Sequence, residues 1–162
     1  MKGLDSDMAI EIERKFLLLN DNWRSEVFKS INYRQGYLNS DANSSVRIRV
    51  SDETAKINIK SATIGSQRSE YEYDIPAADA HELLSTLCHQ PLVEKIRHLV
   101  KRGKHTWEID EFKGDNQGLV VAEIELSAVD EVFEKPEWVG LDVTKDIRYY
   151  NNQLSKHPFS KW

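Results

Sequence analysis

Cysteine is almost missing from this chain: Cys88 is the only one among 162 residues. An internal disulfide and a cysteine-built zinc site are therefore excluded, and nothing points to an oxidising compartment. No stretch is long and apolar enough to span a bilayer, and the N-terminus has no apolar core of a signal peptide. A cytoplasmic protein with no membrane partner is expected. Basic residues are outnumbered, 22 Lys and Arg against 27 Asp and Glu, for a net charge of -5. That balance excludes a general nucleic-acid surface but leaves room for a local basic pocket. There is no Gly-Lys-Ser/Thr phosphate loop and no Gly-rich dinucleotide loop. The five histidines show no metal-ligand spacing. No nucleophile-elbow signature supports Ser-His-Asp chemistry.

What the chain does have is charge arranged with a period of two. Ile10-Glu11-Ile12-Glu13-Arg14-Lys15-Phe16-Leu17-Leu18 alternates residue by residue, as a β-strand does. Glu11, Glu13 and Lys15 share one face. The pattern recurs in Arg47/Arg49, in Lys56/Asn58/Lys60, in Arg68/Glu70/Glu72, in Lys95/Arg97, in Glu108/Asp110 and in Glu123/Glu125. A free surface could carry such faces, and cross-strand salt bridges account for any single pair. Surfaces, however, rarely segregate acid and base strand by strand. A sheet curled with its charged face inward would enclose a lumen suited to a polyanion and its metal ions, with the apolar faces packed outward against helices.

Length and composition suit one domain with a sizeable core. Residues 1–9 are expected to be an N-terminal extension, with Met8 an alternative start, and residues 10–162 a single domain. Asp21–Phe28 reads as a short helix, Ile31–Leu38 as a strand, and Ser45–Val50 with Ala55–Lys60 as a hairpin. Thr63–Gln67 reads as a loop before a strand from Arg68 to Ile75. Ala78–His89 has a helical period that puts Ala80, Leu83, Leu84 and Leu87 on one face. Strands over Val93–Arg102, Lys104–Phe112 and Leu119–Leu126 complete a meander. Val129–Glu134 is a short helical candidate, Trp138–Leu141 an apolar loop, and Asp146–Ser155 a final helix.

The acidic pairs Glu11/Glu13, Glu108/Asp110 and Glu123/Glu125 offer hard oxygen ligands, which suit Mg²⁺ or Mn²⁺ rather than zinc. The bases Lys15, Arg47, Arg49, Lys60, Arg68, Lys95 and Arg97 suit phosphate oxygens. Together they are the ingredients of phosphoryl transfer, where the protein positions groups and neutralises charge.

These residues resemble the CYTH superfamily, the triphosphate tunnel metalloenzymes. The N-terminal signature Glu-x-Glu-x-Lys stands here as Glu11-Ile12-Glu13-Arg14-Lys15. Supporting matches follow in order, among them Arg34-Gln35-Gly36-Tyr37-Leu38, Val46-Arg47-Ile48-Arg49, Arg68-Ser69-Glu70-Tyr71-Glu72, Val93-Glu94-Lys95-Ile96-Arg97 and Val121-Ala122-Glu123-Ile124-Glu125. The resemblance implies a mainly β, α+β fold: an eight-stranded antiparallel closed barrel, a tunnel with a charged lumen and helices packed outside. It implies metal ligands among Glu11, Glu13, Asp110, Glu123 and Glu125. It implies phosphate binding by Arg47, Arg49, Lys60, Arg68 and Arg97, with Tyr37 near the tunnel mouth. Glu70, Glu72 and Glu108 would line the tunnel.

The activity this resemblance implies is metal-dependent hydrolysis of a small-molecule triphosphate, inorganic tripolyphosphate foremost. The alternatives are an adenylate cyclase of the class IV type, making cyclic AMP and pyrophosphate from ATP, and a non-catalytic polyphosphate-binding protein. Lys15 and Lys95 are the expected catalytic residues. Lys95 is expected to stabilise charge rather than to act as a general base, because surrounding acids would hold its ammonium.

Overall fold

The computed structural model describes residues 10–41, 43–52, 54–62 and 67–162. The expected N-terminal extension and most of the Thr63–Gln67 loop lie outside the described residues. Nine strands form one sheet: β1 (Ile10–Leu18), β2 (Val27–Ser40), β3 (Ser44–Val50), β4 (Ala55–Ser61), β5 (Gln67–Asp74), β6 (Val93–Arg102), β7 (His105–Phe112), β8 (Val120–Leu126) and β9 (Val139–Asp142). Their order is β5-β4-β3-β2-β6-β7-β8-β1-β9, and an additional β5–β1 pairing closes the first eight into an antiparallel ring. The charge alternation suits this closure. Each strand has an apolar row that must be buried and a charged row that cannot enter an apolar core.

One edge of β1 is divided between two partners. Ile10–Ile12 pairs with Ser69–Gln67 of β5, and further along Phe16 and Leu18 pair with Asp142 and Val139 of β9, with a register irregularity between them. The ring is therefore not an even barrel, and β9 takes over where β5 diverges.

The outward apolar rows pack under covering segments. Ile12, Phe16, Trp107, Ile109, Ala122 and Ile124 meet Trp23, Trp138 and Val139, and the three tryptophans are fully buried. Burial of each contributes about 1.5–3 kcal/mol on the scale for large apolar side chains. Helix α1 (Ala77–Thr86) lays Ala80 and Leu84 over Ile48 and Ala55 of β3 and β4. Gly36 permits the chain after α1 to press against β2: a Cβ there would meet Leu92 Cδ2 at 2.7 Å and Cys88 Cβ at 2.9 Å. No described helix is long and apolar enough to cross a membrane.

Several expected elements differ. Asp21–Phe28 is a 3-10 turn over Asn22–Glu26, and Val27 and Phe28 already belong to β2. Only Trp23 of that turn is buried, so tertiary packing rather than helical period decides the segment. Leu87 falls beyond the end of α1 and is exposed. Val129–Glu134 is not helical, and Trp138–Leu141 contains most of β9 rather than a loop. The final helix is split into a 3-10 turn at Ile147–Tyr149 and a short α2 (Asn151–Lys156). Tyr149 and Leu154 from this segment join Val93, Phe112, Val121 and Val143 in an apolar cluster at one end of the ring.

Candidate active site

The inward row of the ring encloses a cavity of about 200 Å³. Its lining includes Glu11, Glu13 and Lys15 from β1, Tyr37 from β2, and Arg47 and Arg49 from β3. Lys60 comes from β4, Arg68, Glu70 and Glu72 from β5, Arg97 from β6, Glu108 from β7, and Glu123 and Glu125 from β8. Fourteen of the sixteen residues singled out from sequence thus reach one space. The two exceptions are Lys95 and Asp110, which do not line it. They form an ion pair of 2.6 Å in which both side chains are almost completely sealed from solvent, and Asp110 also accepts from Arg97 Nε at 2.8 Å. Asp110 is committed to two bases and offers no free oxygen to a metal ion. Alternation predicted their direction correctly, but the alternation cannot tell depth below the lumen surface.

Acid and base stand on facing walls. β3, with Arg47 and Arg49, lies four strands from β8, with Glu123 and Glu125, in either direction round the ring. On the acidic wall, acids face acids. Glu13 is the cross-strand partner of Glu125, and Glu108 that of Glu123. Like charges directly opposed destabilise a sheet unless something positive lies between them. Burial together with the Glu123 and Glu11 carboxylates pushes Glu13 up to about 8. Burial with Glu11, Glu108 and Glu70 raises Glu125 to about 7. The Glu125 carboxylate has no hydrogen-bond or ion-pair partner among the described residues.

Other acids are neutralised internally. Glu11 meets Arg68 Nε at 2.7 Å and Lys60 at 3.2 Å, and these outweigh its burial to hold its carboxyl well below the usual range. Glu123 meets Lys15 at 3.2 Å, and Lys15, Arg97 and Lys95 overcome its burial in the same direction. Because Glu11 and Glu123 turn towards bases, no three described carboxylates converge as a ready-made metal cage. Glu13, which meets a single base in Arg68 Nη2 at 3.2 Å, and Glu125, which meets none, are the facing pair whose chemistry fits a hard divalent cation.

Two bases stand out for the opposite reason. Arg47 is buried with its Nε unpartnered, and neither it nor Arg49 has a carboxylate within ion-pair distance among the described residues. Arg49 donates only to Gln35 Oε1, at 3.1 Å. Burial, with Arg47 and Arg97 nearby, pushes its guanidinium down to about 10. A buried charge without a partner is costly, so an anion is the natural complement of this wall. Lys95 also departs from expectation. Burial pushes it down to about 7, and the nearby Arg97 and Arg49 offset much of the support from Asp110 and Glu123.

The sequence reading missed the uncharged members of the site. Thr144, Tyr150, Asn151 and Asn152 line the cavity from the C-terminal segment. Tyr149 O accepts from Lys15 Nζ at 3.0 Å, and Asn151 Oδ1 from Lys95 Nζ at 3.2 Å. Asn58 is fully buried and donates to Glu70 and Glu72. Only the parity of Asn58 between Lys56 and Lys60 signalled an inward position.

Residues 9–156 match the CYTH domain family. The chain is 44% identical over 155 residues to an inorganic triphosphatase of Acetivibrio thermocellus, covering 96% of this chain and 99% of that protein. It is 33% identical over 149 residues to an inorganic triphosphatase of Nitrosomonas europaea, covering 90% and 96%. Among solved structures, an inorganic triphosphatase superposes with a TM-score of 0.62 at 32% identity, covering 90% of this chain and 93% of that one. A candidate adenylate cyclase of Bacillus halodurans shares the fold alone, with a TM-score of 0.58 at 15% identity over 76% and 84% of the two chains. By the match over most of its length and by these relatives, the chain belongs to the CYTH domain family.

Proposed function

We propose that the protein hydrolyses inorganic tripolyphosphate with a divalent cation, Mg²⁺ or Mn²⁺, acting on this small molecule in the cytoplasm. The observation that carries the reading is the facing pair of walls: arginines without carboxylate partners on β3, and the carboxylates Glu13 and Glu125 opposed to each other on β1 and β8. A linear triphosphate with its cation neutralises both at once. The names of the two curated relatives support the same substrate.

In this reading Arg47, Arg49, Lys60, Arg68 and Arg97 grip the phosphate chain. Glu13 and Glu125 would hold the cation, with Glu11 and Glu123, now engaged by Lys60, Arg68 and Lys15, as the neighbouring carboxylates. The cation, when bound, supplies Lewis acidity and lowers the pKa of a water. Lys15 shares the face of Glu11 and Glu13 and neutralises charge at the reacting phosphate. Lys95 acts from behind, holding Asp110 and through it Arg97. Glu70, Glu72 and Glu108 keep the bases oriented, and Tyr37 borders the cavity beside Arg47.

Nothing favours a nucleotide. Tyr37 and Tyr150 are the aromatic residues among the described lining, and the Tyr150 ring already faces Lys15, at 5.4 Å from Nζ. The deciding assay offers tripolyphosphate and ATP with either cation and measures orthophosphate, pyrophosphate and cyclic AMP. Orthophosphate from tripolyphosphate is expected. Cyclic AMP with pyrophosphate from ATP, or tight binding of tripolyphosphate without turnover, would overturn the reading.

A further inference from the structure

β2 is the strand between the two that carry the arginines: β3 lies on one side and β6 on the other. Its own inward positions, Tyr33, Gln35 and Tyr37, carry no charge. Gln35 pairs across to Arg49, and Tyr33 to Lys95. The Tyr33 ring is approached by two guanidiniums. Arg49 Cζ lies 4.6 Å from its centroid and Arg97 Cζ 5.7 Å. Arg97 has other anchors in Asp110 and Glu108. Arg49 has none beyond Tyr33 and Gln35 Oε1 among the described residues. Gln35 is fully buried, and its Nε2 has no partner, so one donor beside Arg49 is unused.

Two guanidiniums side by side repel each other, and a flexible arginine without a carboxylate would turn away. The negative face of an aromatic ring attracts both and can hold them at a fixed separation. An aliphatic side chain cannot, and a carboxylate in its place would neutralise the charge meant for phosphate. We propose that Tyr33 is the positioning residue of the phosphate clamp, its ring setting the spacing at which Arg49 and Arg97 grip one stretch of the substrate's phosphate chain. The proposal rests on the tripolyphosphate reading and names a residue that reading does not need.

The test is binding and turnover of tripolyphosphate by the full chain. Tyr33→Leu should raise KM and weaken calorimetric binding about tenfold, the scale of a desolvated cation–π contact, with kcat changed less than about twofold. Tyr33→Phe keeps the ring and should behave as wild type. If Tyr33→Leu does not fold, Tyr33→Met, unbranched and adaptable, takes its place. In the Arg49→Ala background the loss from removing the ring should shrink, because the two changes then disrupt one interaction. Equal binding by wild type and the ring-less variants would overturn the proposal, as would full additivity with Arg49→Ala or a Tyr33→Phe as weak as Tyr33→Leu. Failure of the wild-type protein itself to bind tripolyphosphate would instead overturn the functional reading, and the proposal with it.

Discussion

Glu13 and Glu125 stand directly opposite one another across β1 and β8, two carboxylates where a sheet ordinarily sets opposite charges. The arrangement costs stability in the empty protein, a cost that a bound cation would relieve. Glu125→Gln should therefore stabilise the protein in chelator, by about 0.2–1 kcal/mol, or up to roughly 4 °C in Tm. The same change should weaken the shift in Tm produced by added Mg²⁺ or Mn²⁺. Thermal melts with and without cation decide it, and a destabilised variant with an unchanged cation response would refute it.

Activity should depend on the same wall. Glu123→Gln with Glu125→Gln should abolish turnover while the far-ultraviolet spectrum stays folded, since ligand oxygens are lost without loss of packing. If these acids only balanced the bases, the double variant would lose stability and keep its activity. Wild-type activity in excess chelator would also sink the assignment.

Stability of the cation-free protein should vary with pH in a defined way. Glu13 and Glu125 are raised from 4.5 to about 8 and about 7, so the folded state holds protons that the unfolded state has released. Their contribution is complete below about pH 4.5 and is lost as pH rises through 7 to 8. Lys60 and Lys95 are lowered from 10.5 to about 8 and about 7. For them the unfolded state binds more protons, so stability recovers as pH rises from about 8 towards 10.5. A minimum in Tm near pH 8 in chelator is expected, and a flat profile between pH 5 and 10 would contradict it.

Arg47→Ala should raise KM for tripolyphosphate about tenfold or more with a smaller fall in kcat, since the contact exists before and during reaction. It should not destabilise the empty protein, because it removes a buried cation that lacks a carboxylate partner. Lys95→Ala should behave differently. It breaks a buried ion pair, worth about 3–5 kcal/mol when one partner is removed, so Tm should fall by roughly 6–20 °C. Turnover should fall by more than KM rises as Asp110 and Arg97 lose their anchor. Lys95→Arg with the wild-type turnover number and Tm, but lower affinity, would make Lys95 a direct phosphate clamp instead.

Parity carried most of the site: a period of two, read strand by strand, put Glu11, Arg47, Lys60, Glu70 and Glu123 on one inward row, and they do share one cavity. It could not reveal depth, and so Lys95 and Asp110 were assigned to a surface they lie beneath. Nor could it find Tyr33 and Gln35, whose importance comes from what the flanking strands carry. β9 escaped notice because four residues offer too little pattern, and its identity as a strand rests on pairing with β1 more than 120 residues earlier. The Asp21–Phe28 helix failed because one buried tryptophan, not a helical stripe, governs that turn.

The divided edge of β1 has a consequence for how the molecule comes into being. On one side β1 meets β5 at three positions only, and its full partner on the other side is β8, with Phe16 lying against Ala122. As a growing chain, the strand that holds Glu11, Glu13 and Lys15 waits until more than 120 residues have been made before it is flanked on both sides. Such distant pairing is slow to form, because the loop must close before contacts reward it. The acidic half of the lumen thus depends on the most distant pairing in the ring, whereas Arg47, Arg49 and Lys60 stand on neighbouring strands joined by a hairpin.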